Sequence, residues 1–347
     1  MPPTLPPDLA RALLVRAQRL GGPEREDGAS VAGVLRLVAG LQAQDAPAAA
    51  LGVRARLAGA TASAVAHARF EERSVARIWC MRGTLHLVPA EDARWLVALL
   101  GPVGLARGRR RREEMGVLPE ATAAVRAALA DGPRTRHEIA EQVRAAGHRL
   151  TDDPQAPIHL VMTAASAGHV IEAAWRGREP TYALTDDWLG PAGRLPEREA
   201  ALAELARRHA RAHPPAGPED LAAWSGVGLR EARRAFAAIA PELEQVEVLG
   251  RRAWIARGLE PAPPAVRLLP AFDGILLGHR DRALTVRPEH ARDVLPGGGI
   301  VRPTVLADGL VEGTWRFERG SPAIAPFDPP GPDVSAEAAD VVRFRAG

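Results

Sequence analysis

One local pattern occurs three times along the chain and limits what it can fold into: apolar-periodic helices followed at once by two short strands. In the first copy Asp8 can cap a helix running to about Leu20, with Leu9, Leu13 and Leu14 on one side and Gly21-Gly22 ending it. A second helix is predicted from Ser30, where Val31, Val34, Leu35 and Val38 keep the i, i+3, i+4, i+7 spacing. It runs out at Gly40-Leu-Gln42-Ala-Gln44-Asp-Ala-Pro47, because proline disfavours helix at the residue before it. An alanine-rich helix follows over about Ala48–Leu57. Val75–Met81 and Gly83–Val88 then read as strands joined by a tight turn at Arg82-Gly83.

The middle repeats this order. A helix is expected over Pro119–Leu129, and Thr135-Arg-His-Glu138 has the form of a capping box opening the next. Another is expected from Pro157 to about Ala167, before strands at His169–Ala173 and Thr181–Leu184. A third copy runs from a helix over Pro196–His213 to Pro218–Trp224, with proline at the first turn. Gly226-Val-Gly228 then turns into Leu229–Ile239, with strands near Gln245–Leu249 and Arg252–Ile255. Pro261-Ala-Pro-Pro264 is a linker. Beyond it, short apolar runs at Val266–Leu269, Gly274–Leu277, Val305–Ala307 and Gly313–Phe317 alternate with Gly, Asp and Pro, the texture of a β-rich module. Three helices and a hairpin wing make a winged helix. The predicted architecture is therefore helix-dominated α+β: winged-helix units over 1–115, 116–194 and 195–260, and a C-terminal β-rich domain over 261–347.

A chain of 347 residues, 46% hydrophobic and 25% charged, has the balance of a folded globular protein of several domains. It has no apolar stretch of the roughly 20 residues a membrane helix needs. Met1-Pro-Pro-Thr-Leu-Pro-Pro has neither the basic nor the apolar region of a secretory signal, so a cytoplasmic protein is expected. The single cysteine, Cys80, excludes internal disulfides and thiolate-built metal centres, and no histidine pair has metal-ligand spacing. Neither metal nor cofactor is expected. All 45 basic residues are arginine, with no lysine anywhere. A GC-rich genome explains that as readily as function does. Arginine nonetheless gives permanently charged, bidentate contacts to phosphate. With a net charge of only +3, local clusters must carry any nucleic-acid argument.

The sharpest local signal is Gln42-Ala-Gln44. On a helix, residues two apart do not share a face; on an extended segment they do. Either the pair is a solvated polar helix end, or two neutral amides project together. Asp45 beside them is read first as a cap or turn residue. Candidate DNA contacts are Arg82 on the first wing and His86, set outward by strand alternation between Leu85 and Leu87. The run Arg109, Arg110, Arg111 and Arg112 is a further candidate, though Glu113-Glu114 follow and a solvated helical face serves equally well. So is His279-Arg280-Asp-Arg282, placed at a turn between two β-domain strands, where an Arg280–Asp281 surface pair is the competing reading. Trp79, Trp95, Trp224 and Trp315 are read as core residues rather than stacking platforms.

Four segments together resemble a known family: Gly40-Leu-Gln42-Ala-Gln44-Asp-Ala-Pro47, Trp79-Cys-Met-Arg-Gly-Thr-Leu-His-Leu-Val88, Leu269-Pro-Ala-Phe-Asp-Gly-Ile-Leu-Leu-Gly-His-Arg-Asp-Arg282 and Gly297-Gly-Gly-Ile-Val-Arg-Pro-Thr-Val-Leu306. They are similar to the winged-helix DNA glycosylases that include AlkZ and YcaQ, and they fall in the family's order. The resemblance implies three tandem winged helices with a β-domain cradling duplex DNA. It also implies monofunctional excision of N7-alkylguanines, in some members from crosslinks made by the host's own antibiotic. It makes Gln42 and Gln44 the catalytic pair, of the Gln-x-Gln rather than the Gln-x-Asp type.

The chemistry is coherent on its own terms. An N7-alkylated guanine already carries positive charge, so its weakened glycosidic bond needs no strong acid. Oriented amides can position water and stabilise an oxocarbenium-like sugar. A chain without lysine has no side-chain amine for a Schiff-base lyase. The expectation is a monomeric glycosylase acting on double-stranded DNA with alkylated purines. The alternative is a non-catalytic winged-helix DNA-binding protein or transcription regulator.

Overall fold

The computed structural model describes residues 2–347. The chain divides into two compact units, one formed by Met1–Ala66 with Leu202–Gly347 and the other by His67–Ala201. Among the described residues no helix is long and apolar enough to cross a membrane.

In the larger unit the first three helices are Pro7–Ala17, Val31–Leu37 and Ala46–Arg56, close to the expected spans. Ser30 caps the second by accepting from the Gly33 amide at 3.1 Å, and Asp45 caps the third by accepting from the Ala48 amide at 3.0 Å. Between them the chain leaves the helix through Ala39 and Gly40, both at positive φ (60° and 83°), and runs extended over Leu41–Gln42.

The C-terminal part of this unit is a four-stranded antiparallel sheet in the order Ser321–Pro326, Leu310–Glu318, Thr304–Ala307, Val266–Leu269. Helix Ser335–Ala346, not anticipated from sequence, buries Val341 and Phe344 in a cluster with Leu268, Val305, Trp315 and Leu51. The run Gly274–Leu277, expected as a strand, is a helical turn. Asp273 at its N-terminus accepts from the Ile275 amide at 3.0 Å, and that cap overrides the β preference of a short apolar run. The segment 279–282 accordingly comes after a helix and does not join two strands.

Helices Pro218–Ser225 and Leu229–Ile239 are joined through Gly226 in the left-handed region, and the hairpin Leu243–Val248/Arg251–Ala256 comes next. Phe236 packs edge-on to Trp254 at 5.8 Å, which ties helix to hairpin.

The smaller unit contains the hairpin Val75–Trp79/Leu85–Pro89, whose turn holds Arg82 and Gly83 at φ 57° and 74°. Helix Ala90–Arg107 was not anticipated: it buries Asp92, Ala93, Trp95, Leu96, Val97, Leu99, Leu100 and Gly101, and burial around much of the helix leaves no clean apolar period. The capping box is formed, with Glu138 Oε2 accepting from the Thr135 amide at 2.7 Å and Thr135 Oγ1 from the Glu138 amide at 3.3 Å. Helices Ala121–Ala128, Arg136–Ala145 and Ala156–Ser166 enclose Val125, Leu129, Ile139 and Leu160 with Trp79 and Tyr182. A sheet in the order Arg134–Thr135, Glu179–Leu184, Val170–Arg176 completes the block. All four tryptophans read as core residues are buried.

Two arginines near the end of helix Ala46–Arg56 are fully buried. Arg56 meets both oxygens of Asp273 at 2.7 and 2.8 Å, and also bonds the Gln18 side chain and the Gly52 carbonyl. Arg54 meets Glu337 at 3.0 Å, Asp340 at 2.9 Å and the Leu268 carbonyl at 2.6 Å. Removing one member of a buried pair strands the other charge, at a cost of about 3–5 kcal/mol. Asp273→Asn should lower the stability of the larger unit by about that amount, read as a shift of the urea midpoint. The double substitution Arg56→Met/Asp273→Leu should lose less than Arg56→Met alone.

Candidate functional site

Two neutral amides are held side by side at the entrance to helix Ala46–Arg56. Gln42 Nε2 donates to Gln44 Oε1 at 3.1 Å. Ala43 between them is completely buried, whereas Gln42 is half-buried and Gln44 exposed. This is the geometry of an extended segment with alternate side chains on one side rather than of a helix end, and Gln44 stays open to solvent. The Asp45 carboxylate, next along, is engaged in capping. A positioned amide pair can orient water or stabilise developing positive charge, but it cannot act as a strong acid or base.

A second set of groups lies on the segment after Leu277. Gly278 accepts at its carbonyl from His209 Nε2 at 2.8 Å. The His279 ring donates to the Pro215 carbonyl at 3.1 Å. The Arg280 amide donates to Asp220 Oδ1 at 2.9 Å, while Asp220 Oδ2 accepts from the Gly217 amide, also at 2.9 Å. Gly278 must be glycine: a Cβ there would stand 2.1 Å from His213. Arg282 turns back onto the Leu276 and Arg280 carbonyls at 2.9 and 3.2 Å. Asp281 pairs with Arg251 rather than with Arg280. Of the three candidates here, only Arg280 has an exposed side chain without a partner among the described residues.

Residues 35–343 match the family model of AlkZ-like DNA glycosylases. The chain belongs to the AlkZ-like DNA glycosylase family. It is 27% identical over 336 residues to the interstrand DNA cross-link repair glycosylase of Streptomyces sahachiroi, covering 90% of each chain. Its fold is similar to the solved structure of Streptomyces sahachiroi DNA glycosylase AlkZ, with a TM-score of 0.81, 26% identity and 96% of each chain covered.

The remaining candidates in this AlkZ-like chain are distributed unevenly. Arg82 is half-buried in its turn. His86, expected to face outward, is 2% exposed and donates to the Thr84 carbonyl at 3.0 Å. Its paired strand Val75–Trp79 is buried at every residue, so both faces of the hairpin are covered and alternation no longer marks solvent. Arg112 is likewise buried, bonded to the Leu105 carbonyl. Arg109 and Arg110 form exposed i, i+4 pairs with Glu113 and Glu114 at 2.7 and 2.9 Å, and Arg111 meets Asp153 at 2.7 Å. The solvated helical face is the arrangement present. Sequence reasoning passed over Asp220 and Arg56. The available signals were an acid three residues past Gly217, and two arginines among the alanines of helix Ala46–Arg56.

Burial pushes the His209 ring down to about 4 and the His86 ring down to about 3, from 6.5. The unfolded rings therefore bind protons that the folded ones do not. Their contribution is fully present above about pH 6.5 and is lost as pH falls towards 4. Urea midpoints should fall between pH 7 and pH 5, and His209→Asn should make the decline for the larger unit shallower.

Proposed function

We propose that this chain is a monomeric, intracellular, monofunctional DNA glycosylase that hydrolyses the N-glycosidic bond of bulky N7-alkylguanines in duplex DNA. On this reading adducts left by a DNA-alkylating natural product, interstrand crosslinks among them, are the target, and the biological role is self-resistance. Three tandem winged helices over 1–115, 116–194 and 195–260, with the β-rich region 261–347, carry the duplex. The observation that supports it most directly is the Gln42–Gln44 amide contact at 3.1 Å, on a segment whose remaining carboxylate, Asp45, is used as a cap.

In this mechanism the substrate supplies the charge that breaks the bond. N7 alkylation makes guanine a cationic leaving group, so departure of the base needs no protonation. The Gln42 and Gln44 amides orient the attacking water and face the oxocarbenium-like sugar, which develops charge as the bond lengthens. Water adds to the sugar carbon, its proton passes to solvent, and an abasic site remains. With no lysine in the chain, no lysine Schiff base forms and the strand stays intact. The relationship to a glycosylase described as acting on interstrand cross-links favours bulky adducts over methylated bases.

A duplex carrying one N7-alkylguanine, incubated with protein and then treated with hot alkali, tests this. Wild type should raise cleavage well above spontaneous depurination, with no strand breaks before alkali and no adduct trapped by borohydride. Gln42→Ala/Gln44→Ala should reduce excision about a hundredfold or more. Wild type that excises neither small nor bulky adducts, yet binds duplex with steep salt dependence, would instead support a non-catalytic DNA-binding protein.

A further inference from the structure

Residues 278–280 are held at three consecutive points, two on the backbone and one on the His279 ring, by groups of the corner between helices Arg198–Ala212 and Pro218–Ser225. His209 takes the Gly278 carbonyl, the Pro215 carbonyl takes the His279 ring, and Asp220 takes the Arg280 amide. Asp220 is 3% exposed, and its two oxygens accept from two different backbone amides. Arg251, on the hairpin Leu243–Val248/Arg251–Ala256, lies 3.6 Å from Asp220 and also pairs with Asp281. A buried carboxylate is costly unless its hydrogen bonds are made, and one of these crosses 60 residues to a loop. Burial opposes ionisation of Asp220, but neighbouring His279 and the two amides outweigh it and hold the carboxyl below its ordinary value. Arg280 is thus an exposed side chain on an immobilised backbone, between one cation that folds back (Arg282) and a histidine whose ring is engaged.

We propose that Arg280 is the group of this segment that contacts a DNA phosphate, and that Asp220 is its positioning residue. A long cation on a mobile loop loses rotamer and backbone freedom when it binds. A cation whose backbone is already tied loses less, and gives one phosphate a defined place. Asp220 touches no DNA. It acts through the Arg280 amide, and the hairpin arginine Arg251, beside Asp220 and paired with Asp281, serves as a brace rather than a reader of bases. The inference rests on the glycosylase reading for its choice of ligand, since an AlkZ-like enzyme must grip the strand whichever adduct it removes.

The test uses binding of the full-length protein to a labelled, undamaged duplex by fluorescence anisotropy across a salt series. Each phosphate contact adds about 0.9 to the slope of log affinity against log salt. Arg280→Ala should weaken binding several-fold and lower the slope by about one contact. Asp220→Ala should do the same, and Asp220→Asn, which keeps one acceptor oxygen, should fall between. The double variant Asp220→Ala/Arg280→Ala should bind no more weakly than the worse single variant. Should Asp220→Ala prove poorly folded, Asp220→Asn takes its place in the cycle, and the exposed Arg280 still decides the contact. An unchanged slope in Arg280→Ala, or losses that multiply in the double variant, overturns the proposal and leaves the excision reading intact. A wild type that binds no duplex overturns both.

Discussion

The Arg56–Asp273 pair is the interaction on which the larger unit depends. Its members lie 217 residues apart in sequence and are completely buried, so no local preference brings them together. Two charges leave water at a cost of several kcal/mol each, recovered only where geometry and further hydrogen bonds are good. Both conditions are met. The guanidinium meets both carboxylate oxygens, a glutamine and a backbone carbonyl, and the carboxylate also caps a helical turn. The pair thereby joins two segments that are far apart in sequence. Helix Ala46–Arg56 carries the Gln42–Gln44 segment at its start and Arg56 at its end, about 16 Å away at 1.5 Å per residue. Asp273 opens the segment leading to His279 and Arg280. A rigid helix pinned at its far end holds the amide pair's exit from the preceding turn in a fixed direction.

Arginine is the chain's only basic side chain apart from histidine, and the structure uses it in three ways. Some guanidiniums are internal struts: Arg54 and Arg56 in one unit, and Arg69 and Arg77 flanking buried Glu172 in the other. Others are neutralised on exposed faces, as at Arg109 and Arg110, where pairs with adjacent glutamates are worth little to stability. A few, Arg280 among them, are left to solvent. The densest basic run in the sequence is thus met by adjacent counter-charges on the same helix. A cluster followed by its own counter-charges has already spent much of its field.

How much was legible in the sequence depended on the range of the interactions involved. Local signals held: Ser30 and Asp45 cap, Thr135 and Glu138 form their box, Gly226 turns the chain, and helix Leu229–Ile239 has its predicted bounds. The i, i+2 argument placed Gln42 and Gln44 on one side because the chain does leave the helix there, at Ala39 and Gly40. The misses are tertiary. His86 was set outward by alternation, which presumes one wet face, and that hairpin is covered on both. Gly274–Leu277 reads as a strand until Asp273 is known to be held by Arg56 and to cap the turn after it. The role of Asp220 depends on a partner 60 residues away, which no window of sequence contains.

The same division of labour bears on the chemistry. Nearest in sequence to the amide pair stands Asp45, whose carboxylate is bonded to the first turn of the helix it caps. That bond to the Ala48 amide uses one of the two carboxylate oxygens, Oδ1. The amide pair itself offers two oriented dipoles. Dipoles are worth most where charge is delivered by the substrate and solvent is displaced by a bulky group, since both raise the electrostatic effect of a fixed amide. They are worth least for a neutral base that must first be protonated. If the chain is the glycosylase proposed, a pair of fixed amides suits a substrate that brings its own positive charge better than a neutral base.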